Sequence, residues 1–283
     1  MTVVPSAAGT PRVSALGSRA VTPSTGLLVH LQNLAPAARP SASISLMKVH
    51  VGTSGYSYKE WRGSFYPEKI KPAEMLAFYG QHFDTVEINN TFYRMPKASV
   101  LEGWCKEVPD QFQFVLKASQ RITHRKKLEE VDDELAYLFE ASLSLGNKRG
   151  PFLFQLPPWL RADNDKLARF LKLLPEGVQA AFEPRHESWK TDETFEILRT
   201  HNVALCNVDT EDLDAPAEIV ETADWGYLRL RRCDYTDADI AAWVDRILSS
   251  SWKTAWVFFK HEDGGVGPDF ARRFQAFTSE KQN

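Results

Sequence analysis

Eight short apolar segments, separated by helical windows or turns, recur between residues 47 and 283, and few folds accommodate that alternation. The segments are 48–54, 85–91, 112–118, 151–156, 179–185, 203–209, 225–231 and 254–260. Between and after them, the spacing of apolar residues predicts helices over 72–82, 97–107, 128–145, 165–174, 192–201, 238–249 and 268–278. Several of these windows open on Pro or Asp, as helix starts do. The stretch 210–224 is weaker and is expected to hold a short turn or helix. Eight strands alternating with helices in about 237 residues (283 minus 46) match the length of a (β/α)8 barrel. An open doubly wound sheet is the alternative. It loses support because the sequence has no G-x-G-x-x-G after a first strand, no P-loop and no internal repeat. The predicted fold class is α/β, a single TIM-type barrel.

The strands share a second property: apolar through most of their length, they turn polar at their carboxyl ends. In Ala180–Arg185, side chains alternate with period two, so Ala181, Glu183 and Arg185 share one face while Phe182 and Pro184 share the other. Glu87 and Asn89, Lys117, Gln155, Asn207 and Asp209, Arg229 and Arg231, and Lys260 stand at corresponding places in other strands. Polar strand ends are where a parallel sheet or barrel carries its ligand site. A closed network of ion pairs plugging the barrel mouth is the competing explanation. Ionised groups buried there need partners, because an unpaired buried charge costs several kcal/mol.

Residues 1–46 differ in kind. They contain no Asp, Glu or Lys, three arginines (Arg12, Arg19, Arg39), and five prolines spaced to prevent a long helix. They are expected to form a disordered extension, with the barrel occupying 47–283. An acid-free, arginine-bearing, serine-rich leader also has the look of an organelle transit peptide. The favoured reading is instead translation from Met47, directly before the first strand, and a cytoplasmic protein. No apolar run approaches membrane-spanning length, so no membrane partner is expected. A formal net charge of −3 gives no general drive toward nucleic acid. Cys105, Cys206 and Cys233 lack C-x-x-C spacing and read as buried free thiols.

Several motifs are more specific than the periodicity. They are Gly52-Thr-Ser-Gly-Tyr-Ser-Tyr-Lys-Glu-Trp61, Phe65-Tyr-Pro67, Val86-Glu-Ile-Asn-Asn-Thr-Phe-Tyr-Arg94, Ile122-Thr-His124, Phe154-Gln-Leu-Pro-Pro158 and Phe182-Glu-Pro-Arg-His-Glu-Ser-Trp189. With them, the chain from Met47 to about Phe277 resembles the DUF72, or YecE-like, family. The resemblance implies a (β/α)8 barrel of unassigned biochemical function, and it transfers no catalytic residue.

The residues themselves suggest a chemistry. Glu87 and Glu183 are the candidate proton-transfer pair. Asn89, Lys117, Gln155, Arg185, Asp209, Arg229 and Lys260 are candidate substrate contacts, and Trp61 and Tyr93 are candidate stacking surfaces. Cations among the acids suit a small anionic or polyhydroxylated substrate and a metal-independent enzyme, so no metal ligand or cofactor is assigned. Lys117 is either a salt-bridge partner of Glu87 or a Schiff-base nucleophile. The first alternative is a metal-dependent phosphodiesterase or isomerase, drawing ligands from Glu87, Glu183, His186, Asp209 and His261. The second is a non-catalytic ligand-binding barrel. The glycines after the last strand, Gly264, Gly265 and Gly267, are a candidate anion-binding loop.

Overall fold

The computed structural model describes residues 46–209, 218–260 and 264–282. The extension predicted for 1–46 therefore lies outside the described residues, apart from its last position. All eight strands form: β1 (Lys48–Thr53), β2 (Thr85–Ile88), β3 (Gln113–Lys117), β4 (Arg149–Gln155), β5 (Ala180–Glu183), β6 (Ala204–Asp209), β7 (Trp225–Leu230) and β8 (Thr254–Phe259). They pair in parallel in the order β1-β8-β7-β6-β5-β4-β3-β2. A parallel bridge between Ser54 and Glu87 joins the ends of that series, so the sheet closes into a nearly complete (β/α)8 barrel.

The seam between β1 and β2 is held by a side chain rather than a full ladder. Tyr79 lies at the end of helix α1 (Met75–Tyr79); its hydroxyl accepts from Thr53 N at 2.9 Å and donates to Thr85 O at 3.1 Å. The backbones come so close there that a Cβ on Gly52 would stand 2.2 Å from Thr85 O. Gly52→Ala is therefore expected to push the seam apart at a cost of about 1–3 kcal/mol. A urea midpoint equal to that of the wild type would refute this account of the closure.

The remaining helices are α2 (Asn90–Tyr93), α3 (Ala98–Glu107), α4 (Asp132–Ser142), α5 (Asn164–Leu171), α6 (Asp192–Thr200), α7 (Asp237–Leu248) and α8 (Val266–Gln282). Side-chain caps fix three starts: Asp163 accepts from Lys166 N, Thr191 from Thr194 N, and Thr236 from Asp239 N. Two expectations need correction. The window 128–145 begins as helix only at Asp132, because Lys127, Leu128 and Glu130 have φ of 54°, 71° and 49°, outside any right-handed helix. Strand β2 stops at Ile88 and the chain turns at once into α2, which the sequence reading had merged with the strand. Of the weak stretch 210–224, residues 210–217 lie outside the described residues and 218–222 form no helix.

Two apolar layers follow from the period-two alternation. Outward-facing Val86, Leu116, Phe154, Phe182, Leu228 and Val257 pack against the helices. Inward-facing Val115, Leu153, Ala181, Ala204, Tyr227, Trp256 and Phe258 fill the barrel, small residues lying among large ones. Beneath them His50 stacks on Trp256 at 4.1 Å and bonds Asp84 at 2.6 Å. This packed interior leaves the carboxyl ends of the strands as the floor of the barrel mouth.

Candidate functional site at the barrel mouth

The inward positions one step above the apolar plug are polar on five strands. Glu87 of β2, Lys117 of β3, Gln155 of β4, Glu183 of β5 and Arg229 of β7 converge there, and none is more than 9% exposed. Arg229 is the hub. Its Nη2 donates to Glu87 Oε1 at 2.9 Å and its Nη1 to Glu183 Oε2 at 2.8 Å. The Tyr227 hydroxyl donates to the second oxygen of Glu87 at 2.6 Å, and Asn89 Nδ2 approaches the first at 3.3 Å. Gln155 Nε2 donates to the other oxygen of Glu183 at 2.7 Å, and Gln155 Oε1 accepts from Lys117 Nζ at 2.8 Å. A buried ion of this kind costs several kcal/mol in lost hydration, which is offset only when geometry and hydrogen bonding are complete. All four carboxylate oxygens of Glu87 and Glu183 are satisfied here.

The electrostatics follow from those contacts. Burial alone pushes the Glu87 carboxyl up, but Arg229, the Tyr227 hydrogen bond and Lys117 together outweigh it and hold the group below its ordinary range. Burial likewise pushes Arg229 down, and Glu87 with Glu183 more than reverses it. Lys117 behaves otherwise. Its hydrogen bond goes to a neutral amide, and no described carboxylate forms an ion pair with it, since Glu87 and Glu183 both turn to Arg229. Burial, reinforced by Arg229, pushes its amine down to about 8. The ammonium lies 4.4 Å from the centre of the Phe92 ring. The expected Lys117–Glu87 salt bridge is thus replaced by an Arg229–Glu87 pair.

Around this floor stands a second group. Arg185, two residues past Glu183 and beyond the end of β5, is exposed and makes no hydrogen bond or ion pair with any described residue. His124 sits in a π turn over Arg121–Arg125, edge-on to Phe92 at 4.9 Å, with Nδ1 beside Thr123 Oγ1 at 2.9 Å. Burial, then the charges of Lys117 and Arg185, hold its imidazole below the usual value. Lys260, at the end of β8, is half-buried and adds its charge to the field on Lys117.

Other residues singled out from the sequence lie elsewhere. Asp209 is on the outer face of β6, where it accepts from Tyr235 Oη at 2.7 Å and Trp243 Nε1 at 3.3 Å. Asn207, on the same face, bonds Val220 N at 2.8 Å. Trp61 is fully buried in a ring cluster with Tyr58, Phe65 and Tyr66. Tyr93 is 75% exposed, its ring edge-to-face with Phe92. Among the described residues, no three His, Cys, Asp or Glu side chains converge as metal ligands. His186 caps a short turn by accepting from Ser188 N, and His261 lies outside the described residues. Gly265 has φ of 80° and packs against Ser64, whose Oγ would stand 2.3 Å from an added Cβ; α8 begins at Val266, two residues before the predicted Pro268. Of the three thiols only Cys206 is buried, Cys105 is half-buried and Cys233 is exposed.

Two participants escaped the sequence reading of the site. Tyr227 was legible, since it lies two residues before Arg229 on one strand face. His124 was visible as a motif residue, but nothing in the spacing tied it to Lys117; Phe92, one of the aromatic residues expected at the rim, is there and packs against that lysine.

Comparison with known proteins agrees with this architecture. The model of a family described as "Protein of unknown function DUF72" matches residues 50–283. The UPF0759 protein YunF of Bacillus subtilis is 32% identical over 156 residues, 52% of this chain and 54% of that one. The UPF0759 protein YecE of Escherichia coli K12 is 31% identical over 112 residues, 39% of this chain and 41% of that one. The matches thus span about half the length of these curated relatives. A crystal structure of a DUF72 family protein from Thermotoga maritima superposes with a TM-score of 0.73 at 26% identity, covering 82% of this chain and 99% of that one. Another, from Enterococcus faecalis, gives 0.69 at 17% identity over 82% and 95% of the two chains and shares the fold. No helix among the described residues is long and apolar enough to cross a membrane.

Proposed function

The chain belongs to the DUF72 family, whose description carries no activity, and from its barrel mouth we propose a metal-independent enzyme acting on a small anionic substrate, with Lys117 as the reactive group. The observation that carries this reading is the division of partners. Both buried carboxylates are engaged by one guanidinium, while a nearly buried amine keeps a neutral partner and faces the mouth. Arg185, exposed and unpaired among the described residues, supplies the fork that a carboxylate or phosphate would meet first. Glu87, held ionised, is unsuited to donating a proton, so the carboxylate pair serves as a structural and electrostatic floor under the amine.

The pairing of both carboxylates favours a second reading, a binding barrel without turnover, because a floor whose four carboxylate oxygens are all bonded needs no chemistry to explain it. Thermal shift against a panel of phosphate esters, organic acids and neutral sugars tests the shared claim. Acids should raise the melting temperature and neutral sugars should not. Arg185→Met should leave unliganded stability within about 0.5 kcal/mol, as for other exposed side chains. It should weaken the acid that binds by about tenfold, the loss of one charge-assisted contact of about 1.5 kcal/mol. Unchanged affinity in that variant would remove Arg185 from the site. Consumption of the bound acid separates the enzyme from the binding barrel.

A further inference from the structure

We propose that Lys117 forms a covalent imine with a small 2-oxo acid whose carboxylate docks on Arg185. The inference rests on the reading of the mouth as an anion site and names the substrate class.

The argument starts from what the floor does with its charges. A proton-abstracting site would be simplest with a free carboxylate, yet Glu87 and Glu183 are both committed to Arg229. The group left without an ionic partner is an amine, and an amine differs from a carboxylate in being a good nucleophile toward carbonyl carbon. Its position is fixed. Gln155 Nε2 is held by Glu183, so Gln155 Oε1 must face Lys117, and the Phe92 ring packs against the same nitrogen. Burial above all disfavours the ammonium, and Arg229 with Lys260 adds to it against the opposing pull of Glu87 and Glu183, so a fraction of the amine is unprotonated near neutrality.

The step balances without an oxidant or metal. After Lys117 loses its ammonium proton, the Nζ lone pair attacks the carbonyl carbon and the carbonyl π electrons move to oxygen; one proton then passes from the nitrogen to that oxygen, giving a neutral carbinolamine. The nitrogen lone pair next expels the hydroxyl, which leaves as water by taking up one proton, and a protonated C=N remains; one water is released for each imine formed and the charge equals that of the starting ammonium. Dehydration needs a nearby proton carrier. His124 meets the same Phe92 ring edge-on at 4.9 Å with Nδ1 engaged by Thr123, which leaves Nε2 for that role. His124 feels the charges of both Lys117 and Arg185, and the proposal places the carbonyl of the oxo acid at the first and its carboxylate at the second.

The test incubates the full chain with pyruvate, 2-oxoglutarate and oxaloacetate in sodium cyanoborohydride, which supplies hydride to an imine, followed by intact mass and peptide mapping. One reduced adduct on Lys117 is expected, absent in both Lys117→Arg and Lys117→Met and about tenfold slower to form in Arg185→Met. Acetone, which lacks the carboxylate, should label at least about tenfold more slowly. Labelling scattered over surface lysines and equal in the Lys117 variants would overturn the imine. If oxo acids raise the melting temperature yet no adduct forms, the imine is wrong and the anion site stands. If these and every other acid in the wider panel neither stabilise the protein nor react, both fall.

Discussion

Arg229→Met is expected to cost about 3–5 kcal/mol, the usual penalty for removing one member of a buried ion cluster. Against a total stability of about 5–15 kcal/mol for a folded domain, that brings the barrel close to unfolding. The reason lies in what remains. Glu87 would keep Tyr227 and Asn89 as hydrogen-bond donors, and Glu183 would keep Gln155 and the weakly donating Cys206 thiol, with no cation hydrogen-bonded to either carboxylate among the described residues. The pH dependence identifies the cause. In the wild type Glu87 is held below its ordinary range, so its contribution is present above the unfolded-state value and is lost as pH falls through the folded value. Without Arg229 the sign reverses, because a buried, uncompensated carboxylate binds protons more tightly folded than unfolded. The deficit of the variant should therefore narrow as pH falls from about 7 to about 5. Neutralising the cluster in the triple variant Glu87→Gln, Glu183→Gln, Arg229→Met should recover part of the loss, since no charge is then stranded. Urea unfolding across that pH range measures all of this. A deficit below about 1 kcal/mol would mean that the floor is wet and the ions are not truly buried.

The barrel was legible in the sequence because its signal is repeated. Eight apolar runs each carry weak evidence, but their alternation with helical windows fixes the class. Strand faces were also legible, since period two makes Ala181 and Glu183 share a side without any knowledge of neighbours. The pairing of charges was not legible. Which acid meets which cation depends on register and stagger around the barrel, so Lys117, the expected partner of Glu87, lost it to Arg229 from the far side. Asp209 illustrates a further gap. It shares a strand with inward-facing Cys206 but is three residues further on, hence on the opposite face, and its partners are Trp243 of α7 and Tyr235 just before that helix. A counted alternation from Cys206 would have placed it outside the mouth. The break before α4 had no such marker, because the left-handed positions are Lys127, Leu128 and Glu130 rather than glycine.

Lys117→Met is expected to do the opposite of Arg229→Met and stabilise the protein at neutral pH. Lowering a lysine from its ordinary 10.5 to about 8 means that folding disfavours the ammonium by about 3 kcal/mol, at 1.36 kcal/mol per unit. Methionine fills a similar volume without that cost, while the hydrogen bond lost to Gln155 is worth about 1 kcal/mol. The net gain is about 2 kcal/mol. The sign with pH is definite. Below about 8 the amine is protonated folded and unfolded, so the wild type bears the full penalty. Between about 8 and 10.5 the folded state releases its proton while the unfolded state keeps it, so wild-type stability rises with pH relative to the variant. The advantage of Lys117→Met should accordingly fade over that interval. A variant less stable than wild type at neutral pH, or an advantage that does not change with pH, would mean that Lys117 is an ordinary solvated lysine. A side chain that destabilises the fold it sits in, at the mouth of a barrel, is what retention for chemistry rather than for packing predicts.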